Sequence, residues 1–244
     1  MAWMGVVLLC AAVVAGAAGY VLSTREPAEY KPVSLDASRQ VQVAQEFISH
    51  RVVDGIGNRV EEGQPFSWSI RAEACNDILA SLDEIAYQLD GRGERERPIE
   101  LAMREQGISA PAVSFQNGRI TLMIFSDAYR RVLSVDIALS LDEGGKFRAS
   151  LDGARVGRLA IPASLVRDEL ATLKQTLADD TASPEPTGQM ISPEDFARVL
   201  YQVLGALDGE TVDPVFVWPG NKRNVRITAL RLADNELTIQ FTPL

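Results

Sequence analysis

Residues 132–177 read VLSVDIALSLDEGGKFRASLDGARVGRLAIPASLVRDELATLKQTL and constrain the fold more than any other stretch. Leu133, Val135, Ile137, Leu139 and Leu141 alternate with Ser134, Asp136, Ala138 and Ser140. A period of two puts successive side chains on opposite faces of an extended strand, one of them buried. Asp142-Glu143-Gly144-Gly145 then supplies a turn, because glycine adopts backbone angles that other residues resist. Phe147, Ala149 and Leu151 alternate on a returning strand. After Ile161-Pro162 the period becomes helical, with Leu165, Val166, Leu170, Leu173 and Leu177 on one stripe. The expected unit is a long hairpin feeding an amphipathic helix that lies against a sheet.

The flanking segments extend this pattern. Phe66, Trp68 and Ile70 alternate with serines in a short strand. Ile78, Leu79, Leu82, Ile85 and Leu89 predict one helix over 72–90. Glu73 suits the positive end of that helix dipole, and capping or solvation is the expected role of Glu73, Asn76 and Asp77. A further helix is expected over 38–54, ended by Gly55 and Gly57. Asn117-Gly118 between apolar runs marks a hairpin joining 112–116 to 119–125. That return strand is apolar on both faces, so it should be covered on two sides. Ser192-Pro193 opens a helix reaching Leu207, with Ser192 as N-cap and Pro193 at its first position. A last hairpin spans 225–241, turning at Ala233-Asp234-Asn235-Glu236. Residues 91–106 mix four arginines with four glutamates and read as a solvated loop with one helical turn after Pro98. The fold class expected is α+β: one long twisted antiparallel sheet built of hairpins, with about three amphipathic helices packed on it.

Residues 2–22 carry no charge and approach the roughly 20 apolar residues a helix needs to span a bilayer. Trp3 and Tyr20 stand near its two ends, where interfacial aromatics belong. The expected organisation is an N-terminal transmembrane anchor over 1–24, then a linker and juxtamembrane helix over 25–64, then the α+β domain over 65–244. A cleaved signal peptide is the rival reading of 1–24, since Ala15-Gly16-Ala17 resembles a cleavage site. Arg25, Lys31 and Arg39 follow the run and would hold the domain inside by the positive-inside rule. Large domains cross largely regardless of charge, so a single-pass protein with an extracytoplasmic domain is expected.

Composition narrows the chemistry. A net charge of −9 repels phosphate backbones, which argues against nucleic acid as a partner. The two cysteines are Cys10, inside the apolar run, and Cys75, so no disulfide within the domain is expected. Cys75 reads as a small buried hydrophobe. The single histidine, His50, leaves little for a metal site or a nucleophile–histidine pair. No phosphate loop, CxxC pair, HExxH or GxSxG is present, and Gly153-Ala154-Arg155-Val156-Gly157 opens no helix. The residues therefore point to no catalytic group, no metal, no cofactor and a non-enzymatic role.

Three stretches carry a resemblance: FSWSIRAEACNDILASL, PAVSFQNGRITL and ARVGRLAIPASLV, with VRITALRLADNELTIQF closing the chain. Together they resemble the YpmS-type family of bacterial membrane-anchored proteins, linked to the tubular lipid-binding (TULIP-like) architecture. The likeness spans 65–244 and departs in the charged 91–106 loop. It implies the fold more than the function. The expected function is a membrane-anchored envelope protein whose domain binds a lipid or other apolar ligand. Leu79, Leu82, Ile85, Leu122, Ile137, Leu139, Leu165 and Leu173 are the candidate lining residues. The alternative is a scaffold with a fully packed core that binds another envelope protein. The expected partners are thus the membrane, through residues 2–22, a lipid, or an envelope protein.

Overall fold

A computed structural model describes residues 16–90, 98–162, 211–218, 223–233 and 235–244, with Ser164, Leu207 and Gly209. The chain is α+β, but its strands form two antiparallel sheets where one was expected. The five-stranded sheet has the order β2-β3-β4-β5-β6, from Ile108–Gln116, Arg119–Ser126, Arg131–Leu141, Phe147–Val156 and Leu159–Ile161. Every neighbour in it is also the next strand in sequence. The four-stranded sheet has the order β1-β9-β8-β7, from Phe66–Arg71, Glu236–Pro243, Asn224–Ala233 and Val215–Val217. Its first strand pairs with the last, Phe66 opposite Phe241 and Arg71 opposite Glu236. Hairpin spacing reports local pairing only, so this pairing of the first strand with the last left no trace in the sequence pattern.

The expected turns form as read. Asn117 and Gly118 take φ of 52° and 72°, the left-handed pair that a two-residue hairpin needs. In the β4–β5 turn the Asp142 carboxylate accepts from the Gly144 and Lys146 amides, both at 2.9 Å. The Lys146 bond is the main reason the Asp142 pKa lies below the ordinary carboxylate value.

The helices differ more from expectation. The 72–90 helix is two, α3 (Ala72–Leu79) and α4 (Leu82–Asp90), with a break at Ala80-Ser81. The 38–54 helix begins as α1 (Ala37–Glu46), capped by Asp36, whose carboxylate accepts from the Arg39 amide at 2.9 Å. It does not end at Gly55 or Gly57. It widens into a π-helix, Phe47–Gly57, and closes as α2, Asn58–Glu62. The terminator is Gly63, with φ 72°, while Arg223 donates to the Val60 and Glu61 carbonyls at 3.1 and 3.2 Å. The Trp68 and Trp218 rings pack on Gly55 and Gly57 at ordinary contact distance, and a Cβ on Gly55 would sit 3.0 Å from the His50 carbonyl oxygen. The single turn expected after Pro98 is a full helix, α5 (Pro98–Glu105). The helices expected at 163–177 and 192–207 lie outside the described residues, apart from isolated positions such as buried Leu207.

Two cores result. Val60, Val225 and Phe241 are buried with Phe66, Trp68, Phe216 and Trp218 packed around them. The Phe66 and Phe241 ring centres lie 5.2 Å apart, and Phe216 meets Phe241 edge-on at 6.0 Å. Between the sheets, Ala72, Val113 and Phe115 pack with Cys75, Leu79, Leu232 and Leu237. Asn76 ties α3 to the β2 edge: its amide donates to the Val113 carbonyl at 2.9 Å and accepts from the Val113 amide at 2.7 Å. A strand edge that would otherwise stay open is thereby closed.

The serine-bearing face of β4 was expected to be the polar, outward one. It is covered, and the cover is the chain around residues 20–31. Tyr30 packs on Ala112, Met123 and Val132 and donates to the Ala110 carbonyl at 2.9 Å. Asp136 accepts from Thr121 at 2.7 Å and from Arg155 at 3.0 Å, and Arg155 also pairs with Glu29 at 2.9 Å. Gly153, opposite Asp136, leaves room for that carboxylate; a Cβ there would sit 3.1 Å from it. These bonds satisfy Asp136, which the alternation had assigned to water, while the buried Ser134 hydroxyl and Arg155 Nε have no hydrogen-bond partner among the described residues. They also identify what covers the second apolar face of β3.

Candidate functional site

At one end of the five-stranded sheet a cleft of about 450 Å³ opens between residues 33–37, the α3–α4 break, α5 and the start of β2. That volume falls within the roughly 300–1,000 Å³ typical of ligand sites. Each wall has a local cause. Gln40 on α1 donates to the Ala80 carbonyl at 3.1 Å and so holds α1 against the break. At the break, the Ser81 amide returns to the Ile78 carbonyl at 2.9 Å, a tight turn that redirects the chain into α4. Asp83 then caps a different helix: its carboxylate accepts from the Ile99 and Glu100 amides of α5 at 2.8 and 3.1 Å. On β2 a bulge between Ser109 and Ala112, with Ala110 at φ 48°, carries Pro111 into the wall.

The lining is mixed, and its apolar part comes from Leu35, Leu79, Leu82, Ile99, Met103 and Ile108. Asp83, Glu84, Glu100 and Arg104 add charge of both signs. Ser81 also lines the cleft; it is 1% exposed, and its hydroxyl has no hydrogen-bond partner among the described residues. A buried hydroxyl without a partner is costly.

Of the eight lining residues named from the sequence, the structure brings two to this cleft, Leu79 and Leu82. Ile85 is buried one turn further along α4. Ile137 and Leu139 pack in a separate cluster with Ala149, Phe147 and Leu207. Leu122 is 43% exposed. Leu165 and Leu173 lie outside the described residues. Missed were Leu35, Ile99, Met103 and Ile108. The pair Ile99 and Met103, four apart behind Pro98, is the signal that could have found α5, but the surrounding charges masked it.

The remaining groups singled out from the sequence take structural places. His50 is exposed and lies 3.1 Å from Asp54 on the next turn of the same helix. Glu73 bonds Asn235 in the β8–β9 turn. Burial pushes the Cys75 thiol up to about 11, against a weaker opposing pull from Arg51, so it is neutral at physiological pH. Among the described residues no group of three histidines, cysteines or carboxylates could hold a metal ion. Among them, too, no helix is long and apolar enough to cross a membrane; most of the 2–22 run lies outside them.

Comparison of the chain with family models, with curated proteins and with solved structures finds no match.

Proposed function

We propose that this is a membrane-tethered, non-enzymatic envelope protein whose cleft holds the apolar part of an amphiphile such as a lipid. The observation that carries the reading is the cleft itself, of ligand size, with Leu35, Leu79, Leu82, Ile99, Met103 and Ile108 in its lining. An acyl chain gains by leaving water for such side chains.

Position supports the same reading. The cleft lies at the sheet end that also carries the β3–β4 turn, since Ile108 pairs with Ser126 and the Asp127 amide donates to the Gly107 carbonyl at 2.8 Å. The helical residues 16–24 reach that end too, where the Arg158 amide donates to the Leu22 carbonyl at 2.9 Å. A ligand leaving a bilayer beside residues 2–22 would meet the cleft without crossing the domain. The uncharged run and the resemblance to the YpmS-type family favour the tether.

The scaffold reading draws on a different observation. Ile137 and Leu139, two expected lining residues, are packed core. The two readings separate on bound lipid. The full chain, purified in a mild detergent and analysed by mass spectrometry, should carry about one acyl lipid per chain. Leu82→Trp, which fills the cleft, should lower that several-fold. Absence of lipid from the unsubstituted chain, or equal lipid in Leu82→Trp, would reject the cleft and favour a scaffold.

A further inference from the structure

The sheet end beside residues 16–24 has a charge pattern unlike the rest of the chain. Its β3–β4 turn presents Tyr129, 70% exposed, followed by Arg130 and Arg131. The β5–β6 turn, beside it because Leu133 pairs with Val156, presents exposed Arg158. Arg25 follows the 16–24 helix. The carboxylates on these turns are Glu26 and Asp127, so the turns carry four arginines and two acids in a protein whose net charge is −9, while Asp83, Glu84, Glu100 and Arg104 line the cleft at the same end. None of the four arginines forms an ion pair among the described residues. Arg131 lies over the Tyr20 ring at 5.8 Å, and the Arg158 side chain donates to the Glu26 carbonyl at 2.9 Å.

This end is also held in register with the helix. Gly157, at φ 57°, is buried beneath the Ser23 and Arg25 carbonyls, and a Cβ there would overlap the Ser23 oxygen. With Arg155 gripping Glu29 and Tyr30 packed on Met123, the chain after the helix is bonded across the sheet. The arginine turns therefore keep one fixed attitude to residues 16–24.

We infer that this end is a membrane-contact surface, in which Tyr129, Arg130, Arg131 and Arg158 meet anionic lipid headgroups and set the domain's orientation on the bilayer. The inference rests on the anchor reading of residues 2–22. Guanidinium groups pair with phosphate in a fixed fork, and an exposed tyrosine suits the headgroup layer. Each arginine beside an anionic surface strengthens such a contact about fivefold.

The test uses the full chain in vesicles of phosphatidylcholine, with or without one-third phosphatidylglycerol. A Tyr129→Cys variant, also carrying Cys10→Ser and Cys75→Ala, takes a fluorescent label at position 129. Lipid spin-labelled at the headgroup reports proximity by quenching. Carbonate washing reports the anchor separately. The expected result is a chain that resists carbonate, with quenching at 129 that rises with phosphatidylglycerol. The rise should be lost in Arg130→Gln/Arg131→Gln/Arg158→Gln, and in the parent chain at about 0.5 M salt, where screening acts within a few ångströms. A chain that resists carbonate but whose quenching ignores phosphatidylglycerol, the triple substitution or salt overturns the contact surface and leaves the anchor standing. A chain released by carbonate overturns the anchor and the contact surface with it.

Discussion

The two sheets are built on opposite plans. The five-stranded sheet is wholly sequential, each strand turning back on the last, and its outer face is closed by a polar network of Thr121, Asp136, Arg155 and Glu29 under the 20–31 segment. The four-stranded sheet joins the first strand to the last and is closed by rings: Phe66, Phe216 and Phe241, with Trp68 and Trp218 beneath the π-helix. The first plan depends on turns and hydrogen bonds made nearby. The second depends on apolar area brought together from distant parts of the chain, where closing a long loop costs entropy that burial must offset. Position on the molecule follows the same division. The sequential sheet carries the cleft and the arginine turns, while the aromatic sheet locks the first strand to the last.

The largest effect should come from the aromatic side. Phe241→Ala removes the ring that both Phe66 and Phe216 contact, and should cost about 3–5 kcal/mol in urea unfolding. If the sheets are as distinct as described, the β2–β5 amides should lose less hydrogen-exchange protection than those of β1 and β9. Equal loss throughout would mean the two plans form one cooperative unit. Asn76→Ala tests the join between them. It leaves the Val113 amide and carbonyl without partners and should cost about 2–4 kcal/mol. A cost no larger than an exposed asparagine's would show that water replaces the side chain.

How much of this was legible follows the same contrast. Asn117-Gly118, the 133–141 alternation and the Asp142 turn announced the sequential sheet, because a period of two and a turn residue are properties of neighbouring positions. The pairing of Phe66 with Phe241 had no such local sign, and the hairpins were therefore joined into one sheet. The serines of β4 misled for a related reason. Ser134 and Asp136 look solvated in sequence, but Arg155, Glu29 and Tyr30 arrive from elsewhere to cover them. Of the cleft, only Leu79 and Leu82 were visible. Their stripe was periodic, whereas Ile99 and Met103 were hidden among charges, and Leu35 lay in a stretch read as linker.

Smaller effects sharpen the contrast on the sequential side. Gly157→Ala forces a side chain into a left-handed position under the Ser23 carbonyl and should cost about 1–3 kcal/mol. Its mark should be faster hydrogen exchange in residues 20–31, with β7, β8 and β9 unchanged. The smallest effect is acid-dependent. Asp36 and Asp142 are both held below their ordinary value of 3.8, the first chiefly by the Ser38 hydroxyl and the second by the Lys146 amide. A lowered folded pKa contributes stability above the unfolded value that is lost as pH falls through the folded one. Melting followed by circular dichroism should therefore show a decline below about pH 3.8 that shrinks in Asp36→Asn and Asp142→Asn. An unchanged acid limb in both variants would remove these two carboxylates from the account.

The cleft is tested most directly by crosslinking. The full chain, in membranes carrying a phospholipid with a photoreactive group midway along its acyl chain, is irradiated, digested and mapped by mass spectrometry. The account predicts adducts on the cleft wall, at Leu79, Leu82 and Met103, that disappear when Leu82→Trp fills the space. Adducts confined to residues 2–22, with none on α3, α4 or α5, would contradict it.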